Sequence, residues 1–246
     1  MFQGFYNLAS NLIVQNRNMN IISNNMANIS TPGFKSDQLI QGTFRDEMLY
    51  RYENGSSTPI GVTSRINTAE EKVVDYTQGT LRQTDRKLDF GLHGRGFFAV
   101  QSGDETVYTR NGSFNIDDEG YLTIQRLGRV LGENGPIQVN TEDIFVNEQG
   151  YVLNANGYEV YGRINVVDFA DYAQLQKAAG GAFRTEAQPQ AADLVQVKQG
   201  FLESSNVSMV KEMTDMMSGQ RGLQSSAQLL KMYDQLSGKA IQLGTM

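Results

Sequence analysis

Several clusters in this chain carry residue types that do chemistry elsewhere. Gly94-Arg95-Gly96-Phe97-Phe98-Ala99 fits the GxGxxA pattern of a dinucleotide-binding turn, and Asp117 follows about twenty residues later. That pattern needs a helix to begin at the glycines, so that its free N–H groups can cradle a pyrophosphate. Phe97–Val100 is instead a β-type run, so the glycines read as a tight corner entering a strand. Asn115, Asp117, Glu119 and Gly120 occupy positions 1, 3, 5 and 6 of a calcium loop, but position 12 is Arg126, where a bidentate glutamate is required. Asp117, Asp118 and Glu119 adjoin one another, whereas glycoside hydrolysis needs two carboxyl groups opposed across a bond. They read as a solvated turn. His93, the single histidine, has no GxSxG partner and reads as structural. With no Cys, disulfides, thiolate metal sites and a Cys nucleophile are excluded. The expectation is no catalytic, cofactor-binding or metal site, and therefore no enzyme.

Composition narrows the remaining classes. The 246 residues suit one or two globular domains. The longest apolar run, Phe97–Val100, is far shorter than the roughly 20 residues of a membrane-spanning helix, which implies no transmembrane segment. The first sixteen residues carry no charged side chain and lack the basic start of a cleaved signal peptide. The net charge of −6 is uneven: the ends are neutral or slightly basic and the acid lies between them. No Lys/Arg run supplies the patch that nucleic acid binding requires, so no nucleic acid partner is expected.

The elements that would position any functional surface lie at the two ends. Phe5, Leu12, Met19 and Met26 recur every seven residues, interleaved with Met1, Leu8, Gln15, Ile22 and Ile29. This predicts one amphipathic helix with a narrow seam, stopped by the tight turn of Thr31-Pro32-Gly33. At the other end Met209, Met216, Leu223 and Leu230 repeat the spacing, with Met213, Gln220 and Ala227 between them and Leu229, Leu236 and Leu243 alongside. Asn206 or Ser205 fits its N-cap. Two seamed helices at opposite ends of a chain predict an antiparallel, coiled-coil-like pair. The alternative is two ordinary core helices of one globule. The first helix is rich in asparagine, a weak helix former, which predicts that the ends order on packing against other subunits.

The centre is β-rich, with short runs at Phe97–Val100, Val107–Thr109, Ile137–Val139, Ile144–Val146 and Ile164–Phe169. Residues 114–122 align with 144–152 at an offset of 30, and each copy reads as a hairpin with glycine, Gly120 or Gly150, at its turn. Residues 35–80 form a polar stretch with Gly55-Ser56-Ser57, expected to be a partly extended, mobile connector. The fold class predicted is mixed: terminal helices with a central all-β domain of hairpins. The boundaries expected are an N-terminal helix at 1–34, the connector at 35–80, the β domain at 81–199 and a C-terminal helix at 200–246.

Three blocks then carry a family resemblance. Residues 18–35, from Asn18 through Asn24-Asn25-Met26-Ala27-Asn28-Ile29-Ser30-Thr31-Pro32-Gly33-Phe34-Lys35, resemble the N-terminal signature of bacterial flagellar basal-body rod and hook proteins. The stretch from Leu88 to Phe114 is similar to the opening of that family's β domain, and Gln199-Gly200-Phe201-Leu202-Glu203-Ser204-Ser205-Asn206-Val207 to its C-terminal signature. The chain's length is that of a short rod subunit, proximal or distal, in place of the longer hook protein.

The resemblance implies a structural subunit of the flagellum basal body that leaves the cell through the flagellar type III export apparatus without a cleaved signal. It implies helical polymerisation with copies of itself and neighbouring rod and hook subunits, and transmission of torque. The residues expected to pack between subunits are Phe5, Leu8, Leu12, Met19, Ile22, Met26, Met209, Met213, Met216, Leu223 and Leu230. The motif residues are Asn24, Asn25, Ala27, Asn28, Thr31, Gly33 and Phe34. The alternatives are a hook-type filament subunit, or a secreted β-rich binding module or carbohydrate-active enzyme on a helical stalk.

Overall fold

The computed structural model describes residues 2–53, 56–154, 156, 159–192 and 195–244; Met1 of the first seam and Gly55 of the connector lie outside the described residues. The chain divides into two units, one of Met1–Ala27, Asp37–Asp75 and Ser208–Met246, the other of Asn28–Ser36 and Tyr76–Val207.

The first unit holds helix α1 (Phe2–Ala27), strands β1 (Asp37–Glu53) and β2 (Ser56–Val74), and helix α2 (Met209–Gly244). β1 and β2 pair antiparallel along their whole length, from Asp37 opposite Val74 to Glu53 opposite Ser56, with register shifts after Ile40 and Leu49. The stretch read as a connector is thus extended and hydrogen-bonded to itself as a ribbon. Its β-branched and aromatic residues, such as Thr43, Phe44, Tyr50, Val62 and Ile66, favour this conformation. α1 packs against both the ribbon and α2. It buries Val14 and Ile22, which lie two turns apart on one face.

α2 begins later than its sequence suggests. The Ser208 carbonyl accepts the N–H of Glu212, which puts Ser208 at the N-cap position. Asn206 is committed elsewhere: its Oδ1 accepts the Ser36 N–H at 2.7 Å and its Nδ2 lies 3.3 Å from the Thr77 carbonyl.

The second unit is built of short strands: β3 (Leu81–Gln83), β4 (Phe90–His93), β5 (Phe97–Ser102), β6 (Glu105–Thr109), β7 (Phe114–Ile116), β8 (Leu122–Ile124), β9 (Gly128–Gly132) and β10 (Gly135–Pro136). There follow β11 (Ile144–Val146), β12 (Tyr151–Asn154), β13 (Val160–Arg163), β14 (Val166–Asp168), β15 (Gln176–Lys177), β16 (Ala182–Arg184), β17 (Gln190–Ala191), β18 (Gln196–Gln199) and β19 (Phe201–Glu203). The principal sheet runs β15-β16-β6-β5-β9-β8-β7, and β11-β12-β13 form a separate meander. Ile137–Val139, expected as a strand, contributes only a bridge from Gln138 to Tyr121, while Ile137 and Val139 point into the core.

The apolar run of β5 is explained by burial on both faces. Phe98 and Val100 join the main core with Phe90, Phe114, Leu122 and Val130. Phe97, on the opposite face, meets Phe183 at 5.5 Å and Tyr172 at 6.1 Å between ring centroids. Gly94 and Gly96, with φ of 120° and 150°, turn the chain into this strand, and no helix follows them.

The internal repeat is structural. β7–β8 and β11–β12 are both hairpins. In the first turn the Asp117 side chain accepts the Tyr121 N–H at 2.8 Å; in the second Asn147 accepts that of Tyr151 at 2.9 Å. Gly120 and Gly150 share a φ of 84°. Their surroundings differ, since a Cβ on Gly120 would fall 1.8 Å from Asn140 Oδ1, whereas one on Gly150 meets nothing closer than 3.4 Å. Both glycine-to-alanine changes should therefore incur about 1–2 kcal/mol of left-handed backbone strain. Gly120→Ala should lose at least about 1 kcal/mol more through displacement of Asn140. Equal urea midpoints for the two variants would contradict that reading.

Candidate functional site

The motif residues assemble two polar centres, one in each unit. In the first, Asn25 sits near the end of α1 and is 2% exposed. Its side chain acts as a substitute backbone: Oδ1 accepts the Asp37 N–H at 3.0 Å and Nδ2 donates to the Asp37 carbonyl at 2.9 Å. Nδ2 also donates to Glu212 Oε1 at 3.2 Å, so one amide joins α1, β1 and the first turn of α2. Asp37 is itself paired with Lys72 at 2.8 Å. Burial pushes the Glu212 carboxyl above the usual carboxylate range, with Asn25 pulling it partly back.

In the second unit, Lys35, Arg110 and Glu203 meet in the interior. Lys35 Nζ lies 2.6 Å from Glu203 Oε1, and Arg110 Nη1 lies 3.2 Å from Oε2. Lys35 and Glu203 are each 1% exposed and Arg110 is 4% exposed. Further donors and acceptors complete the shell: Lys35 donates to the Thr77 carbonyl, Arg110 to the Gly94 carbonyl, and the Gly79 N–H donates to Glu203 Oε1. Burial lowers the Arg110 guanidinium below its ordinary range, and Glu203 opposes this. The Pro-Gly turn leans on this centre. Phe34 N–H closes the turn on the Thr31 carbonyl, Gly33 has φ of 68°, and its N–H donates to the Glu203 carbonyl at 2.8 Å. A Cβ on Gly33 would lie 2.3 Å from the Arg110 backbone, so only glycine fits. Phe34 is buried, with Lys177 Nζ 3.8 Å from its ring centroid.

Among the other motif residues, Asn24 and Ala27 are exposed, while Asn28 and Thr31 are half-buried with the Thr31 hydroxyl bonded to Asn28. The seam residues divide. Ile22 is buried; Leu8, Leu12, Met19, Met26, Met216, Leu223 and Leu230 are half-buried; Phe5, Met209 and Met213 are exposed. Val14, Gly219 and Ser226 are buried and escape a heptad reading, the last two because small residues carry no hydrophobic signal. A Cβ on Gly219 would stand 3.1 Å from Met19 Cε and 3.9 Å from Gln15 Oε1, which shows how near the helices come. α2 also carries large apolar residues outward: Val210, Met217, Met232 and Leu236 are 54–77% exposed.

The sequence motifs with chemical overtones have structural duties. Desolvation raises the Asp117 carboxyl, but hydrogen bonds from the Tyr121 and Glu119 N–H groups and the Arg129 guanidinium outweigh it and hold the group below its usual range. Arg129 also stands over the Tyr121 ring at 4.3 Å. Among the described residues no His, Asp and Glu side chains cluster as a metal site.

Two outcomes are expected for the Asn25 centre. Asn25→Ala strips both partners from the buried Asp37 backbone and should destabilise the first unit by about 2–4 kcal/mol in urea unfolding. A carboxyl with a raised pKa holds its proton more tightly when folded, so Glu212 favours folding at low pH. That contribution is lost as pH rises from the ordinary carboxylate value through the raised one. Glu212→Gln should therefore raise the melting temperature relative to wild type more at pH 7 than near about pH 4. An equal difference at both would show that Glu212 ionises as freely as in the unfolded chain.

Three family models match the chain: flagella basal body rod protein over residues 5–35, flagellar hook protein FlgE/F/G D1 domain over residues 91–154, and flagellar basal body rod FlgEFG protein C-terminal over residues 198–243. Lys35, Arg110 and Glu203 thus fall one in each. The flagellar basal-body rod protein FlgG of Bacillus subtilis is 30% identical over 99% of this chain and 99% of its own length. The flagellar basal-body rod protein FlgF of Escherichia coli is 35% identical over 92% of each, and that of Caulobacter vibrioides 31% identical over 92% of this chain and 91% of its own. Terminal helices, a central β region and end-to-end similarity to rod proteins agree, and the chain belongs to the flagellar basal-body rod protein family.

Proposed function

We propose that the chain is a structural subunit of the flagellar basal-body rod, packing with copies of itself and with neighbouring rod and hook subunits. The observation that carries this is the two-faced character of α2. Met216, Gly219, Leu223, Ser226 and Leu230 lie on one side of the helix, buried or half-buried. Val210, Met213, Met217, Met232 and Leu236 lie on the other, exposed. At 3.6 residues per turn these sets occupy roughly opposite faces. A helix with apolar residues on both sides, one covered within the chain, is suited to pack a second time against another subunit.

The axial part of the subunit is the helical pair α1 and α2, drawn from the terminal segments 1–34 and 200–246 and arranged as an antiparallel coiled-coil-like pair. Asn25 meets Glu212 while Met19 and Gln15 approach Gly219, so the contacts run in opposite directions along the two helices. Residues 35–80 connect to the β domain at 81–199. The helices gain their full burial on assembly. Head-to-tail contacts that do not close generate a helical filament, which passes torque from motor to hook through packing alone, without catalysis. The subunit reaches the basal body through the flagellar type III apparatus. The similar proteins are rod proteins, so the hook-type and stalked binding-module readings are not favoured.

The test replaces the outer face while sparing the inner one. Val210→Asp with Met217→Asp should leave the circular dichroism of the purified chain unchanged. In a strain lacking the gene, the variant should fail to restore motility or rods seen by electron microscopy. Normal rods from it would overturn the proposal.

A further inference from the structure

We infer that α2 of one subunit lies along α2 of a second copy in a fixed parallel register, with Val210, Met213 and Met217 of one helix on Leu229, Met232 and Leu236 of the other. The inference rests on the rod reading and names the partner of the outer face. The outward apolar residues of α2 form two stripes, one near each end of the helix, all six residues being 43–77% exposed. Between Met217 and Leu229 the outward positions carry no large apolar side chain; Ser218, Gln220, Arg221, Gln224 and Ser225 are exposed there. At 3.6 residues per turn the first stripe lies about 120° to one side of the face that α1 covers, and the second about 100° to the other. Each flank of α2 is thus apolar over one half of the helix and polar over the other.

The two stripes repeat one spacing. Each has a gap of three residues and then one of four, so a single shift of 19 carries Val210 to Leu229, Met213 to Met232 and Met217 to Leu236. Laid side by side, they match gap for gap only when the two helices run the same way. That shift is about 28 Å along the axis, and it sets the stagger between neighbouring copies.

Area points to a second copy as the occupant. Each stripe leaves roughly 300 Å² of apolar surface in water, so one covers the other, and together they reach the size that marks an interaction site on a lone subunit. One stripe on one stripe buries roughly 600 Å² in all, about half of what holds a specific pair together. Such a contact holds where it is repeated, and a copy inside a filament uses both stripes, one toward each of two neighbours. The stripes also border the packed face between α1 and α2, so each contact extends an existing helix interface. A stripe packed on its own twofold mate would turn neighbouring copies in opposite directions, whereas a shaft with motor and hook at its two ends needs them aligned. First stripe on second is the heterologous contact that keeps them aligned and does not close.

Cysteine cross-linking of the full chain tests the register, since the chain has no cysteine of its own. Positions 213 and 232 stand about 28 Å apart on one helix, beyond the reach of a disulfide, so any bond joins two copies. Basal bodies carrying Met213→Cys with Met232→Cys, oxidised with diamide, should give a ladder of dimers, trimers and longer species on a non-reducing gel, at least tenfold above either single variant. Met217→Cys with Leu236→Cys should do the same, and Val210→Cys with Leu236→Cys, seven residues out of register, should stay monomeric. Should neither matched pair enter the basal body, the same gels on the concentrated purified chain decide. Bonding in a single variant, or a ladder from the mismatched pair, overturns the register. Monomer throughout, in basal bodies that hold the chain, overturns the pairing and leaves the rod reading standing. Absence of the wild-type chain from basal bodies overturns the rod reading, and the pairing with it.

Discussion

Glu203 sits with one carboxylate oxygen on Lys35 and the other beside Arg110, all three almost wholly buried. Charges buried this deeply are tolerated only where further donors and acceptors converge on them. The carbonyls of Thr77 and Gly94 supply that convergence, and the Gly79 N–H takes up remaining acceptor capacity on Glu203. The backbone of residues 33–36, 77–79, 94, 110 and 203 is consequently fixed by one electrostatic requirement. The close approach of Gly33 to the Arg110 backbone, and of Gly79 to the Ser204 carbonyl, follows from it, because side chains there would hold these segments apart.

What was legible in the sequence depended on whether the signal was periodic. The terminal helices and the paired hairpins of the repeat could be read because 3.5- and 2-residue periods and turn glycines survive in a linear string. The ion centre could not. Lys35 and Glu203 lie 168 positions apart, and an isolated lysine and glutamate look the same whether exposed or buried. Asn25 was visible only through family resemblance, since nothing local distinguishes it from the asparagines around it. The ribbon read as a connector because turn-forming residues interrupt it. The N-cap was misplaced because Asn206, a good capping residue, forms hydrogen bonds with Ser36 and Thr77 in the other unit's own network.

The two units meet their polar requirements by different means. The second uses charge, with a carboxylate shared between two cations. The first uses an amide, Asn25, which satisfies an N–H and a carbonyl of Asp37 and reaches Glu212 besides. An amide carries both donor and acceptor without a net charge to desolvate, so it can join three elements where the surrounding helices are thinly covered. The cost appears at Glu212, whose burial beside a neutral partner raises its pKa. The asparagines that weaken α1 as an isolated helix thus include the one that anchors it.

This difference bears on how each unit could serve in a polymer. The second unit carries most of its large apolar residues inside, with its β11 edge closed by Gln199. α2 of the first leaves Val210, Met213, Met217, Met232 and Leu236 outward, and three of those five are methionine. Methionine has a flexible, polarisable side chain that fills irregular gaps, so a stripe rich in it can meet neighbouring surfaces of slightly different shape without loss of contact. Assembly with other flagellar rod components calls for that tolerance. A stripe of Leu or Ile, stiffer at the side-chain torsions, would specify one partner more sharply and the others less well. The choice of methionine on the outer face, with Gly219 and Ser226 on the inner one, fits close packing within the subunit and adaptable packing outside it.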